Sequence, residues 1–95
     1  MNVTLSGQTY TDVTVRHENY GDGCAALSVY DDHGLVVTAS VHLGEHPAPG
    51  HIWVKDWSEN EGILDSLVAA GVIETTGRIA QSGFVTAHEA RVVTA

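Results

Sequence analysis

The sequence predicts an α+β fold: an antiparallel sheet of about five or six strands, with one helix near residues 59–70 packed on one face. Residues 35–43 give the first reason. Leu35, Val37, Ala39, Val41 and Leu43 alternate with Val36, Thr38, Ser40 and His42, which is the period of a strand. Turn-forming clusters between short β-leaning runs give the second, because they join neighbours as hairpins. The third is that helical spacing occurs clearly in one segment, where Ile63, Leu64, Leu67 and Val68 form a stripe. Hairpin-linked strands with one amphipathic helix favour a sheet with the helix laid across it.

The elements follow in chain order. Residues 3–5 and 10–17 lean to β, with Val13 and Val15 alternating against Thr14 and Arg16 as in a half-buried strand. Asn19-Tyr20-Gly21-Asp22-Gly23 is dense in turn formers. Residues 24–30 alternate again, with Ala25, Leu27 and Val29 on one face. Asp31-Asp32-His33-Gly34 suits a tight hairpin turn, with Gly34 free to take positive φ. Residues 44–50 contain Pro47 and Pro49 and form a loop. In the strand 51–55, Ile52 and Val54 share one face and Trp53 takes the other.

The helix comes next. Ser58 is placed as N-cap with Glu61 three residues on, a capping box. Glu59 and Glu61 suit the positive end of the helix dipole. Gly62 inside the helix costs about 1 kcal/mol relative to alanine, and would allow close packing against a sheet. Gly71 is a natural C-terminal stop. Residues 72–74, 78–80 and 84–93 lean to β, with Gly77 and Gly83 marking turns between them.

Ninety-five residues, 43% of them hydrophobic, make one domain, residues 1–95. A chain of this size buries roughly 60–65% of its unfolded surface, enough for one core. No apolar run approaches the roughly 18–20 residues that span a bilayer. The first residues carry neither the basic flank nor the apolar core of a leader, so a cytoplasmic protein is expected. Cys24, the single cysteine, excludes an internal disulfide; no base adjoins it in sequence, and a structural thiol is expected.

Charge is the sharpest compositional fact. Four Lys and Arg stand against twelve Asp and Glu, a net charge of −8. Arg16, Lys55, Arg78 and Arg91 are scattered, which disfavours direct binding to nucleic acid or to an anionic membrane. A basic protein surface is the favoured partner. Solubility alone is the plain alternative explanation of the charge.

Two groups of residues carry candidate chemistry. His42, His46 and His51 lie within ten residues of one another around the proline loop. Their spacing is not that of a standard zinc finger and no second cysteine joins Cys24, so no metal or other cofactor is expected. Asp56, Glu59, Glu61 and Asp65 crowd the helix start, with Trp57 beside them as a possible anchor. Like charges one turn apart are mildly unfavourable. The cluster therefore fits a partner-binding surface, although a capped, solvated helix is the favoured explanation of these carboxylates. No nucleophile, base and acid fall into a catalytic pattern, so a non-enzymatic protein is expected.

The core Lys55-Asp56-Trp57-Ser58-Glu59-Asn60-Glu61-Gly62, with Ile63-Leu64-Asp65-Ser66-Leu67-Val68, then Thr76-Gly77-Arg78 and Ser82-Gly83-Phe84-Val85, resembles a family of small acidic proteins of unknown function. Members occur on bacterial phages, plasmids and integrative elements. The likeness spans roughly residues 25–85. It implies a mobile-element setting and carries over no catalytic residue. By setting and charge, it implies an inhibitor of a bacterial defence complex, an anti-CRISPR protein that occupies a basic nucleic-acid-binding site on a Cas subunit. An anti-restriction DNA mimic, or an accessory or regulatory interaction module acting as monomer or homodimer, is the alternative.

Overall fold

The computed structural model describes residues 1–43 and 45–93, and of Ser82 the backbone alone. Nine strands form three antiparallel sheets, not the single sheet of five or six strands expected. Strands β1 (Val3–Leu5) and β2 (Gln8–Tyr10) pair across Ser6 and Gly7, both at positive φ. Strands β3 (Thr14–Asn19), β4 (Ala25–Asp31) and β5 (Gly34–Thr38) form a second sheet in sequence order. The third contains β6 (Ser40–Val41), β7 (His51–Val54), β8 (Ile73–Ser82) and β9 (Val85–Val92), in the order β6-β7-β9-β8.

The nine-residue alternation at 35–43 is cut at Ala39, and this cut divides the sheets. The Ala39 N–H donates to the Leu27 carbonyl at 2.8 Å, while its own carbonyl accepts from the Lys55 N–H at 2.8 Å. One residue thus bonds to a strand of the second sheet on one side and to the end of β7 on the other. The next residue, Ser40, is buried, and its hydroxyl accepts the Leu27 N–H at 3.0 Å. Alternation reports which side chains share a face; it does not report which partner each backbone group finds. Gly77 is a second departure. It lies at φ 85° inside β8, in a bulge between Thr75 and Ile79, where a turn was expected. Gly83 and Gly34 turn the chain as expected, at φ 65° and 117°. Gly44, at the start of the expected proline loop, lies outside the described residues.

The main core joins Val3 and Leu5, Leu27 and Val29, Val37, Ala39, Ile52 and Val54, Ile63 and Leu67, Ile73 and Ala90. All three sheets and the helix contribute to it. Trp53 points the other way, as its alternation with Ile52 and Val54 requires, into a smaller cluster with Ala80 and Ala87. Both faces of the third sheet are therefore covered.

Helix α1 (Ile63–Ala69) is shorter than expected, and a separate 3-10 turn (Ser58–Asn60) precedes it. Gly62 separates the two at φ 101°. A Cβ there would stand 2.5 Å from the Thr4 carbonyl oxygen, so the glycine permits close approach, here to the backbone of β1. Ser58 does not cap: its φ is 58° and no capping box forms. Asp56 takes that role, its Oδ1 accepting the Gly62 and Leu64 N–H groups at 3.0 and 3.1 Å. At the other end the Gly71 N–H reaches the Val68 carbonyl and the Val72 N–H that of Leu67, a complete Schellman motif on the expected glycine. Among the described residues, no helix is long and apolar enough to cross a membrane.

Candidate functional site

The five residues singled out near the helix separate into distinct roles. Asp56 is the helix cap. Glu59 accepts from Lys55 Nζ at 2.6 Å, and that hydrogen bond, with smaller backbone and hydroxyl contributions, lowers its pKa to about 2. Trp57 is half-buried and packs against the Trp53 cluster, which leaves less of it free as an anchor. Of the four carboxylates in this group, Glu61 and Asp65 have no hydrogen-bond or ion-pair partner among the described residues. Both line a groove of about 580 Å³ with Thr4, Ser6, Gly7 and Ser66.

Backbone bonds explain why this groove is fixed in shape. The Ser6 N–H donates to the Glu61 carbonyl at 2.8 Å, and the Ser6 hydroxyl to the Ser58 carbonyl at 2.9 Å. The Thr4 N–H donates to the Ser66 hydroxyl at 3.0 Å. Asn60, fully buried, donates from Nδ2 to the Thr38 carbonyl at 2.8 Å. The first hairpin and β5 thus hold the helix approach from two sides.

The cations are engaged within the chain. Lys55 meets Glu59, Arg91 meets Glu74 at 2.8 Å, and the Arg16 guanidinium lies 4.0 Å over the Tyr30 ring. Arg78 reaches Glu89 at 2.8 Å and Glu45 at 3.0 Å, and lies 5.3 Å over Trp53. Glu89 is buried, a charge that the strand pattern alone did not reveal. Desolvation pushes its pKa up. The Ala48 N–H, the Thr76 hydroxyl and the Arg78 charge outweigh that, and hold it below the ordinary value.

A second constellation gathers residues of the turn after β3 and of the chain after β6. Asp22, Cys24, His42 and His46 bring one donor atom each to within 4.8 Å of one another. The positive-φ Gly23 sets Asp22 and Cys24 on one tight turn, in which Asp22 Oδ1 accepts the Cys24 N–H at 3.0 Å. Asp22 Oδ2 meets His42 Nε2 at 2.7 Å, and Cys24 Sγ meets His46 Nδ1 at 2.9 Å. The Tyr20 ring lies 4.8 Å from the His42 ring, and its hydroxyl pairs with Ser40 at 3.0 Å, which holds the imidazole in place. His51 is not a member: its Nδ1 donates to the Pro49 carbonyl, on the wall of a neighbouring cleft of about 440 Å³.

The Cys24 thiol has a base beside it after all, though not an activating environment. Desolvation, then the hydrogen bond and charge of Asp22, raise its pKa above the ordinary value. A nucleophilic thiolate needs the opposite shift. Asp22 itself is held well below the usual carboxylate range, first by the Cys24 N–H and then by His42. It therefore remains an anion throughout the neutral range. The register that sets two of these residues opposite one another is a feature of the structure, with a bulge between Val29 and Tyr30 that the hairpin pattern did not show. Continuing the Ser28↔Thr38 register four residues outward places Cys24 opposite His42.

No protein-family model, curated protein or solved structure matches this chain.

Proposed function

We propose that this chain is a non-enzymatic inhibitor of a bacterial defence complex, of the anti-CRISPR kind, acting in the host cytoplasm through an acidic surface. Its partner is a basic protein surface that otherwise holds DNA or guide RNA, on a Cas subunit. The observation that supports this is the distribution of charge. Lys55, Arg78 and Arg91 are paired with the chain's own carboxylates and Arg16 lies over Tyr30, so the net charge of −8 stands with few cations free to meet an acidic partner. Such a surface speeds encounter with a basic partner and disfavours acidic ones.

Within that surface the contact residues narrow to Glu61 and Asp65, which line one groove, while half-buried Trp57 packs with the Trp53 cluster. Asp56 and Glu59 serve the chain's own structure. The test is affinity capture from a host lysate that contains the defence complexes, by the parent chain and by the E61K/D65K double variant. Stoichiometric recovery of a Cas subunit by the parent, lost in the variant while its melting is unchanged, supports the proposal. Recovery of a restriction enzyme instead assigns the anti-restriction role. Equal capture by both chains sinks the site.

A further inference from the structure

We propose that Asp22, Cys24, His42 and His46 form a binding site for one zinc-class divalent cation, closed by four protein ligands. The donor set is the first support. One thiolate, two imidazoles and a carboxylate are all ligand types that zinc takes, and their composition favours it over magnesium or calcium, which prefer oxygen. The sole cysteine and two of the six histidines converge at this one place.

Geometry is the second. Zinc–nitrogen and zinc–sulfur bonds of about 2.0 and 2.3 Å put tetrahedral ligand atoms about 3.3–3.6 Å apart. Three of the six separations bracket that range: 2.7 Å for Asp22 to His42, 2.9 Å for Cys24 to His46, and 3.8 Å for Asp22 to His46. All four donor atoms lie within 4.8 Å of one another, so side-chain rotations that move them by about an ångström bring them into a common tetrahedral shell. Two of the ligands are already oriented by outer partners. Asp22 has its Oδ1 tied to the Cys24 N–H, leaving Oδ2 for the cation, and His42 is packed by Tyr20.

Charge is the third. A dication held by one thiolate, one carboxylate and two neutral imidazoles gives a neutral assembly. Binding displaces the Cys24 thiol proton to solvent, because a coordinating thiol is deprotonated outright.

The site joins the turn through residues 20–24 to the residues after β6, segments that Tyr20 already links through His42 and Ser40. A cation there would clamp them and so fix one wall of the cleft lined by Asn19, Ala25, Pro49 and His51. Four protein ligands leave no open position, which makes the role structural. That is independent of the acidic surface at Glu61 and Asp65.

Cobalt(II) titration of the full purified chain tests this, followed by zinc competition. One equivalent should bind, with thiolate-to-cobalt charge-transfer absorption and the intense visible bands of a tetrahedral site, and zinc should displace it. C24S should abolish the charge-transfer absorption. H42A and H46A should each weaken binding by more than about 100-fold, beyond the loss from an outer-shell change. H17A, on β3 and outside the cluster, should bind as the parent does. Zinc at about a hundredfold excess over Kd should raise the melting temperature by on the order of 10 °C in the parent and not in C24S. Far-ultraviolet circular dichroism of each variant establishes that it is folded. The proposal is overturned if the folded parent takes up no cobalt, if C24S retains the parent spectrum, or if H42A and H46A bind as tightly as H17A.

Discussion

The helix approach and the four-donor cluster spend their polar groups in opposite ways. In residues 56–62 nearly every polar group is turned to the chain's own use. Asp56 caps, Glu59 holds Lys55, Asn60 bonds to β5, and the Ser58 and Glu61 carbonyls receive the first hairpin. In the cluster, by contrast, side chains from two loops point at one another near the surface, and only Asp22 Oδ1 is committed to local backbone. A dense run of charged residues in sequence was thus mainly architecture. A dispersed set, two pairs 18 to 24 residues apart, made the more chemically defined constellation.

Substitutions can break or sharpen that contrast. The largest effect is expected at Gly62. G62A places a methyl 2.5 Å from the Thr4 carbonyl at a φ of 101°, and should cost about 3 kcal/mol in urea unfolding. A loss below about 1 kcal/mol would mean that β1 yields easily and the helix approach is not held as described. R78M comes next. It strips the charge partner from buried Glu89, while the Ala48 N–H and Thr76 hydroxyl remain, so about 2 kcal/mol is expected.

D56A should cost about 1–2 kcal/mol through two orphaned helix N–H groups. D56N, which keeps an acceptor oxygen, should recover most of it. If instead D56A melts like the parent and loses partner capture, Asp56 is a contact residue and the cap assignment falls.

Smaller again is the response to acid. Glu89 has a folded pKa below its ordinary value of 4.5. Its stabilising contribution is therefore complete above about pH 4.5 and is lost as pH falls through the lower folded value. Urea midpoints should drop over that interval in the parent and drop less in E89Q. Glu59 is shifted the same way, but it is exposed and its pair with Lys55 is screened by solvent. E59Q should leave the acid limb nearly unchanged. An E59Q effect as large as that of E89Q would show that the exposed pair matters more than its surroundings allow.

Much of the architecture was legible in local pattern. The Gly34 turn, the opposed faces of Ile52 and Trp53, the Ile63 and Leu67 stripe and the Gly71 stop all stand where the sequence put them. Each depends on neighbours within a few residues. The N-cap was misplaced because Ser58 satisfies the local rule, while Asp56, two residues earlier, reaches over the 3-10 turn. Glu89 was missed because an alternating strand says only that a side chain faces one side, not that Arg78 and Thr76 will cover it.

What the sequence determined by itself was composition and period: an acidic α+β chain of antiparallel strands, one amphipathic helix, and a strong net negative charge with scattered cations. The tertiary structure decided which backbone groups pair and which side chains meet. It divided the one expected sheet into three, with Ala39 at the boundary of the second and third, gave two of four candidate carboxylates partners within the chain, and gathered Asp22, Cys24, His42 and His46. The physical reason is range. Propensity and periodicity act over a few residues, whereas hydrogen-bond satisfaction and the meeting of distant side chains are settled only when the whole chain has packed.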